Sequence, residues 1–297
     1  MGTSVSIVVP VYNEEGNVAD LHKEILEVCT ANGYEFEIIF IDDGSTDNTE
    51  KEVRKWAKKS SFKIEYKKKK NGGKHSAYNY ALQYIKTEYV YLSLDSDDIL
   101  YDSKTIELIL NELKKLKDEI GLITLCTDSR EGKNTFVKKY EIDKLDGKSL
   151  SYAYSKNLFK AEGRMILKSE YIKEYKYPEI DKERFFTEAY IYWQMDKKVK
   201  WSSIPTCYSN YLSDGLTANT TRLFLKNPNS WYLYNELRAK MTKKKIFKVK
   251  YYIYYIAFGI MAKKKIFKKK MNYLYLVLLF PIGLLGSLYL KIKGKKK

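Results

Sequence analysis

Glu37-Ile38-Ile39-Phe40-Ile41-Asp42-Asp43-Gly44-Ser45 is a short apolar run that halts at two acids and a glycine. Such a short apolar run, closed by turn formers, predicts a strand. Upstream lies a second apolar run, Val5–Val11, with a helical stretch over about 17–31 between the two. Downstream, Thr46 or Asp47 can cap a helix that continues to about Lys59. Phe62–Tyr66 alternates, 74–85 reads as helix, and Tyr89–Leu94 reads as a strand ending in Asp95-Ser96-Asp97-Asp98. A helix over about 103–117 then leads to a strand at 121–126. Strands alternating with helices predict βαβ units, hence an α/β domain with a mostly parallel central sheet flanked by helices. Ligands of such sheets bind outside the carboxyl ends of the strands. Tyr12-Asn13-Glu14, Asp42-Asp43-Gly44-Ser45 and Asp95-Ser96-Asp97-Asp98 each follow a strand end, so three segments converge on one edge.

The 297 residues suffice for a large core, and 44% apolar with 31% charged residues excludes a disordered or fibrous chain. Three distant cysteines, Cys29, Cys126 and Cys207, match neither a zinc ribbon nor a disulfide framework and fit a reducing compartment. The opening MGTSVSIVVP has no basic n-region or cleavage site, which predicts no secretory leader. The net charge of +17 is a property of the tail. Residues 241–297 hold 16 lysines and no acid, leaving 38 basic against 37 acidic residues in 1–240. That even balance argues against a nucleic-acid partner.

The tail carries two uncharged segments between lysine clusters, 12 residues at 251–262 and 20 at 271–290. Only the second is long enough to span a bilayer. Tyrosines beside the lysines and the lysines themselves suit an anionic membrane surface. The competing reading is a helical pair packed on the protein's own core. Pro281, Gly283 and Gly286 allow a kink or a re-entrant hairpin, and a partly inserted anchor on the cytoplasmic face of the membrane is favoured over a crossing. The expected organisation is a catalytic domain over 1–235, divided into a nucleotide-binding half (1–126) and an acceptor half (127–235), followed by a lysine-rich membrane-associating helical tail over 236–297.

Each polar cluster has a chemical and a bland reading. Asp95 and Asp97, alternate residues at a strand end, can both reach outward. Their hard oxygens suit Mg²⁺ or Mn²⁺ bridged to phosphate; an Asx-turn or a helix cap needs the same residues. Asp98 is a helix cap or supports its neighbours. The carboxylate of Asp43 can accept from a base N–H, while Asp42 turns the chain with Gly44 making the bend. Tyr12 offers a face for base stacking or is a core aromatic, Pro10 stiffens the approach, and Glu14 can accept from a ribose or base. Gly72-Gly73-Lys74 opens a helix, so backbone amides and Lys74 can face a phosphate. It lacks the spacing of a P-loop, and a solvated lysine is the alternative. His22 and His75 have no partners at metal spacing and read as structural or surface residues. The run Lys67–Lys70 reads as a solvated strand end.

Val8-Val9-Pro10-Val11-Tyr12-Asn13-Glu14, Ile41–Asp47, Asn71–Asn79 and Leu94–Asp98, in this order and spacing, resemble the family 2 glycosyltransferases. The likeness is strong over 4–100, weaker to about 220, and does not reach the tail. It implies a GT-A fold and an inverting enzyme whose donor is a nucleotide sugar. It implies that Asp43 reads uracil, that Asp95 contacts the nucleotide and that Asp97 ligates the metal. An inverting transfer needs a carboxylate to deprotonate the acceptor hydroxyl. The matching stretch is Phe185-Phe186-Thr187-Glu188-Ala189-Tyr190, with alanine where the family often has aspartate. Glu188 is the first candidate base, with Asp181 and Glu183 in reserve; Thr187 and Glu188 also suit the start of a helix. The Q-x-x-R-W pattern of processive members is missing, since Gln194 precedes Met-Asp-Lys, which favours single addition. The loop 211–217 resembles a segment that closes over donor or acceptor; a plain surface loop is the alternative.

The expectation is a metal-dependent hexosyltransferase. It takes a nucleotide sugar, a UDP-hexose first, to a hydroxyl of a lipid-linked or cell-envelope glycan. The alternatives are a synthase of the dolichyl-phosphate-mannose type, in which a polyprenyl phosphate is the acceptor, and a nucleotide-sugar-binding membrane protein without catalysis.

Overall fold

The computed structural model describes residues 3–19, 21, 36–92, 94–96, 98–100, 104–127, 142–156, 163–208 and 220–295. His22, Cys29, Asp97, the loop 211–217 and most of the stretch expected as a helix over 17–31 lie outside them; residues 15–19 are helical. The described residues fall into two compact units. The first comprises 1–176 and 195–211, the second 177–194 and 212–297.

The first unit is built on β1 (Val5–Val11), β2 (Phe36–Asp42), α1 (Thr49–Ala57), β3 (Lys63–Lys68), α2 (Lys74–Ala81), β4 (Tyr89–Tyr91), β5 (Ile99–Leu100), α3 (Thr105–Leu113), β6 (Gly121–Thr127), α4 (Ile142–Leu145), α5 (Leu150–Lys156), β7 (Gly163–Lys168), α6 (Ser169–Ile172) and β8 (Lys200–Tyr208). The eight strands form one sheet in the order β3-β2-β1-β4-β7-β6-β8-β5. β3, β2, β1 and β4 are mutually parallel, β7 runs against β4 and β6, and β8 is parallel to β6. The expected mostly parallel sheet is therefore present.

Val5, Ile7, Val9, Ile38, Phe40 and Tyr91 enter one buried cluster with Trp56 of α1 and Ile106, Ile109 and Leu110 of α3. Alternation explains the near-continuous apolar runs of β1 and β2: these central strands are covered on both faces. β4 is shorter than the predicted 89–94, yet Leu92 and Leu94 remain buried beyond it. β3 is longer than predicted and takes in Lys67 and Lys68. Pro10 stands in register with Ile41, past Ile7, where the pairing of β1 with β4 ends. A missing N–H is tolerated where a strand is paired on one side only.

The second unit contains α7 (Ala189–Met195, through Gln194), α8 (Thr220–Lys226), α9 (Pro228–Met241), α10 (Lys245–Met261) and α11 (Tyr273–Lys295). Tyr232, Tyr252, Tyr255, Ile256, Phe258 and Leu276 form its buried cluster. The uncharged segment 251–262 is thus largely core of a helical bundle, as the competing reading had it. α11 is one continuous helix through Pro281, so no re-entrant hairpin forms. Its glycines serve packing: a Cβ on Gly283 would lie 2.5 Å from Ile256 Cγ2 and 3.2 Å from the Ile253 carbonyl oxygen of α10. Arg238 of α9 is buried with its guanidinium 3.7 Å from the Trp193 ring centroid and 4.1 Å from that of Tyr251, two cation–π contacts.

Candidate active site

Three parallel strands, β2, β1 and β4, end side by side, and the polar clusters that follow them are stitched together. After β1, Asn13 takes φ 57° and donates its N–H to Ser45 Oγ at 2.9 Å, while its side-chain oxygen accepts the Thr46 N–H at 2.8 Å. The Glu14 N–H donates to Thr49 Oγ1 at 2.8 Å, and Glu15 exchanges bonds with Asp47 and Asn48. The β1 and β2 loops therefore form one rigid ledge. The carboxyl of Asp47 is held below the usual carboxylate range: desolvation pushes it up, and hydrogen bonds from Thr49 and Glu15 together outweigh that push. Tyr12 projects from the ledge with 49% of its surface exposed, so it is not a core aromatic. The Glu14 carboxylate accepts from Asn17 Nδ2 at 2.5 Å.

Of the two acids at the end of β2, Asp42 turns the chain, as its sequence position suggests. Asp42 is fully buried: it accepts the Ser45 N–H at 2.6 Å and the Tyr66 hydroxyl, and so turns the chain. Gly44 makes the bend at φ 86°, and a Cβ there would meet the Asn71 nitrogen at 2.9 Å. Asp43 points to the other side, 4% exposed. Its Oδ1 accepts the Gly72 N–H at 2.9 Å and Lys69 Nζ at 2.8 Å; its Oδ2 accepts the Gly73 N–H at 2.6 Å. The two glycine amides, expected to face a phosphate, are thus taken by Asp43. Gly73 reaches this position at φ 92°, closed to side-chain-bearing residues. Lys69 corrects the reading of Lys67–Lys70 as a solvated end. Its side chain is 14% exposed, and the ammonium is shared between Asp43, Ser76 Oγ and the Lys70 carbonyl oxygen.

Lys74, the first residue of α2, places Nζ 2.5 Å from Asp95 Oδ1. Asp95 and Lys74 are each about one-third exposed, so this pair faces solvent. Behind it, Asp98 Oδ2 accepts the Asp95 N–H at 3.1 Å, and the Asp98 carboxylate takes Arg164 Nη2 at 3.1 and 2.9 Å. Both members of this pair are buried. Burial raises the Asp98 carboxyl to about 6, with Arg164 opposing the shift. Asp98 therefore supports its neighbours, as one of its two readings held; the role of Arg164 was invisible in the sequence. His75 is buried, in keeping with a structural role.

Among the described residues no three His, Cys, Asp or Glu side chains are set to hold a metal ion. The donor chemistry of Asp95 nonetheless fits a hard divalent cation, because its oxygen already attracts a cation, the Lys74 ammonium. Asp98, committed to Arg164, is not available for that purpose.

The structure brings Asp43, Lys74 and Asp95 together through Gly73-Lys74 and sets Tyr12 and Glu14 on the adjoining ledge. Pro10 lies inside β1. Glu188 belongs to the second unit, where it is half-buried just before α7 and its carbonyl oxygen accepts the Tyr177 hydroxyl at 3.2 Å. Of the reserves, Asp181 is exposed. Glu183 is buried and fully engaged: it accepts from the N–H and side chain of Asn229 and from the N–H and hydroxyl of Ser230, which start α9. That carboxylate is a helix anchor and is no longer a reserve base.

Residues 6–175 match the family described as Glycosyl transferase family 2. Among curated proteins, the chain is 26% identical over 253 residues to the poly(ribitol-phosphate) beta-N-acetylglucosaminyltransferase TarP of Staphylococcus aureus, covering 82% of this chain and 74% of that one. It is 33% identical over 129 residues to the minor teichoic acid biosynthesis protein GgaB of Bacillus subtilis, 43% of this chain but only 14% of that relative's length. Among solved structures, S. aureus TarS 1–349 in complex with UDP-GlcNAc superposes with a TM-score of 0.59 at 16% identity, over 87% of this chain and 73% of that one. The mannosyltransferase PcManGT of Pyrobaculum calidifontis, in complex with GDP-Man and Mn²⁺, gives 0.57 at 16% identity, over 97% and 88%. These likenesses show the GT-A fold.

Proposed function

The chain belongs to glycosyl transferase family 2, and from that premise we propose that it transfers a hexose from a nucleotide diphosphate, UDP first, to a hydroxyl of a cell-envelope or lipid-linked glycan with inversion. The observation that carries this reading is the pair of carboxylates, Asp43 and Asp95, held through consecutive residues beyond the ends of the two strands that flank β1. Asp43 is oriented by three donors and keeps lone-pair capacity for one more, which suits the N–H of a pyrimidine base. Tyr12 offers its exposed ring to the base, and Glu14 an oxygen to the ribose. Lys74 turns from Asp95 to the diphosphate when a donor enters, since a doubly charged phosphate outcompetes one carboxylate. Asp95, with Asp97, would hold Mn²⁺ or Mg²⁺; bound there, such an ion supplies neutralisation of the charge that grows on the leaving diphosphate. Glu188 is the proposed base for the acceptor hydroxyl. The names of TarP and GgaB support a teichoic acid or poly(ribitol phosphate) among the acceptors to try, and the ligand of TarS supports UDP-GlcNAc among the donors to try first.

The test is a donor screen on the full chain. UDP or GDP release is followed from a panel of sugar nucleotides with poly(ribitol phosphate) and lipid-linked glycans as acceptors, with and without Mn²⁺. Release from one donor that needs both acceptor and metal is expected. No turnover with any donor would remove the reading.

A further inference from the structure

The outward face of α11 is apolar over most of its length. Leu274, Val277, Leu278, Leu285, Leu288 and Ile292 are each between 47% and 66% exposed on one helix. No charged residue occurs between Lys270 and Lys291, and the hydroxyl of Ser287 is buried against the inner side. By length and composition the stretch Tyr273–Gly294 could cross a bilayer. A contiguous apolar face of this size on a water-facing helix marks an interaction surface.

Three features specify the occupant. The helix is bracketed by cations, Lys263, Lys264, Lys265, Lys268, Lys269 and Lys270 before it and Lys291, Lys293 and the terminal lysines after it. One of these, Lys268, is paired with Glu236; the charge of the others is not cancelled by any acid in 241–297. Tyr273 and Tyr289, 55% and 61% exposed, stand near the two ends of the apolar face, where amphipathic rings meet headgroups. Apolar centre, aromatic ends and flanking cations are the arrangement that anionic lipid complements.

The inner face of α11 decides how it inserts. Gly283 closes directly on Ile253 and Ile256 of α10, and Leu276 is buried in the same cluster. An upright α11 would carry α10 with it. The uncharged stretch of α10 is too short for a hydrocarbon core of about 30 Å, and α9, packed on α10, bears Glu236 and Arg238. We propose that α11 is an in-plane anchor: its outward face sinks into the anionic surface of a bilayer while its inner face stays packed on α10, with both lysine clusters on the same side of the membrane. This proposal does not depend on the catalytic reading.

The experiment uses the full chain with sealed vesicles of phosphatidylcholine alone or mixed with phosphatidylglycerol. Co-sedimentation with the anionic vesicles is expected, at least tenfold weaker with the neutral ones and weakened by salt. Leu278→Glu/Leu285→Glu, at exposed positions, is expected to stay in the supernatant with an unchanged melting curve. A membrane-impermeant maleimide, mapped peptide by peptide, is expected to label Lys269→Cys and Lys293→Cys equally from outside. Three results would overturn the proposal: no preference for anionic vesicles; protection of one of the two cysteines, which means a crossing; or a change of oligomeric state in the double variant without vesicle binding by the wild type, which means a second copy covers the face.

Discussion

Lys74 Nζ lies 2.5 Å from Asp95 Oδ1, and the preceding residue, Gly73, gives its N–H to Asp43. Two carboxylates from strands on either side of β1 are therefore tied to one dipeptide at the start of α2. If Lys74 is released to a diphosphate, Lys74→Gln should weaken UDP binding about tenfold, the value of about one lost charge-assisted bond. Uridine, which lacks the diphosphate, should bind unchanged. Calorimetric titration of both ligands checks this.

Lys69 neutralises Asp43 from inside the protein. Lys69→Met leaves a buried carboxylate with its two backbone donors and no cation. A loss of about 1–3 kcal/mol is expected in urea unfolding, and, on the proposal that Asp43 reads the base, nucleotide affinity should fall with it, since Oδ1 loses one of its two donors.

Glu188 and Glu183 are five residues apart and should separate cleanly. Glu188→Gln should lower turnover by about 100-fold or more while donor affinity persists, the signature of a lost general base. Glu183→Gln replaces one of the two oxygens that anchor Asn229 and Ser230 with an amide donor. It should cost about 1–3 kcal/mol in stability without a selective fall in kcat. Single-turnover kinetics and urea unfolding on both variants distinguish the two roles.

Asp98 predicts a pH signature. Its carboxyl, raised to about 6 by burial, holds a proton in the folded state at pH values where the unfolded chain has lost it. The unfolded state thus binds fewer protons between about pH 4 and 6, and this group's contribution to stability falls as pH rises through that window. Asp98→Asn removes the dependence. The melting temperature of the wild type relative to Asp98→Asn should therefore decline from pH 4 to 6 and level off above.

The strands and their polar ends were legible in the sequence because their signals are local. Apolar runs at Val5–Val11 and Glu37–Ile41 stop where the backbone stops pairing, and Asp42-Asp43-Gly44 announces its own turn. Lys69 was misread because its meaning depends on β3 lying beside β2, which sets it against Asp43, 26 residues away in sequence. Arg164 and Glu183 were opaque for the same reason: their partners, Asp98 and Asn229, are 66 and 46 residues distant. Segment 251–262 was half legible. Its lack of charge is equally what a membrane or a bundle core requires, and only the packing of Tyr252, Tyr255 and Ile256 resolves it.

The central claim is that the oriented Asp43 carboxylate, linked to Asp95 through Gly73-Lys74, receives a nucleotide sugar. Its most direct test is calorimetric titration of UDP and GDP sugars, with Mn²⁺, into the wild type and Asp43→Asn. One donor should bind the wild type and lose about tenfold or more in the variant, the effect of one hydrogen bond to a charged group. Equal affinity in both proteins, or no heat from any nucleotide sugar, would contradict the account.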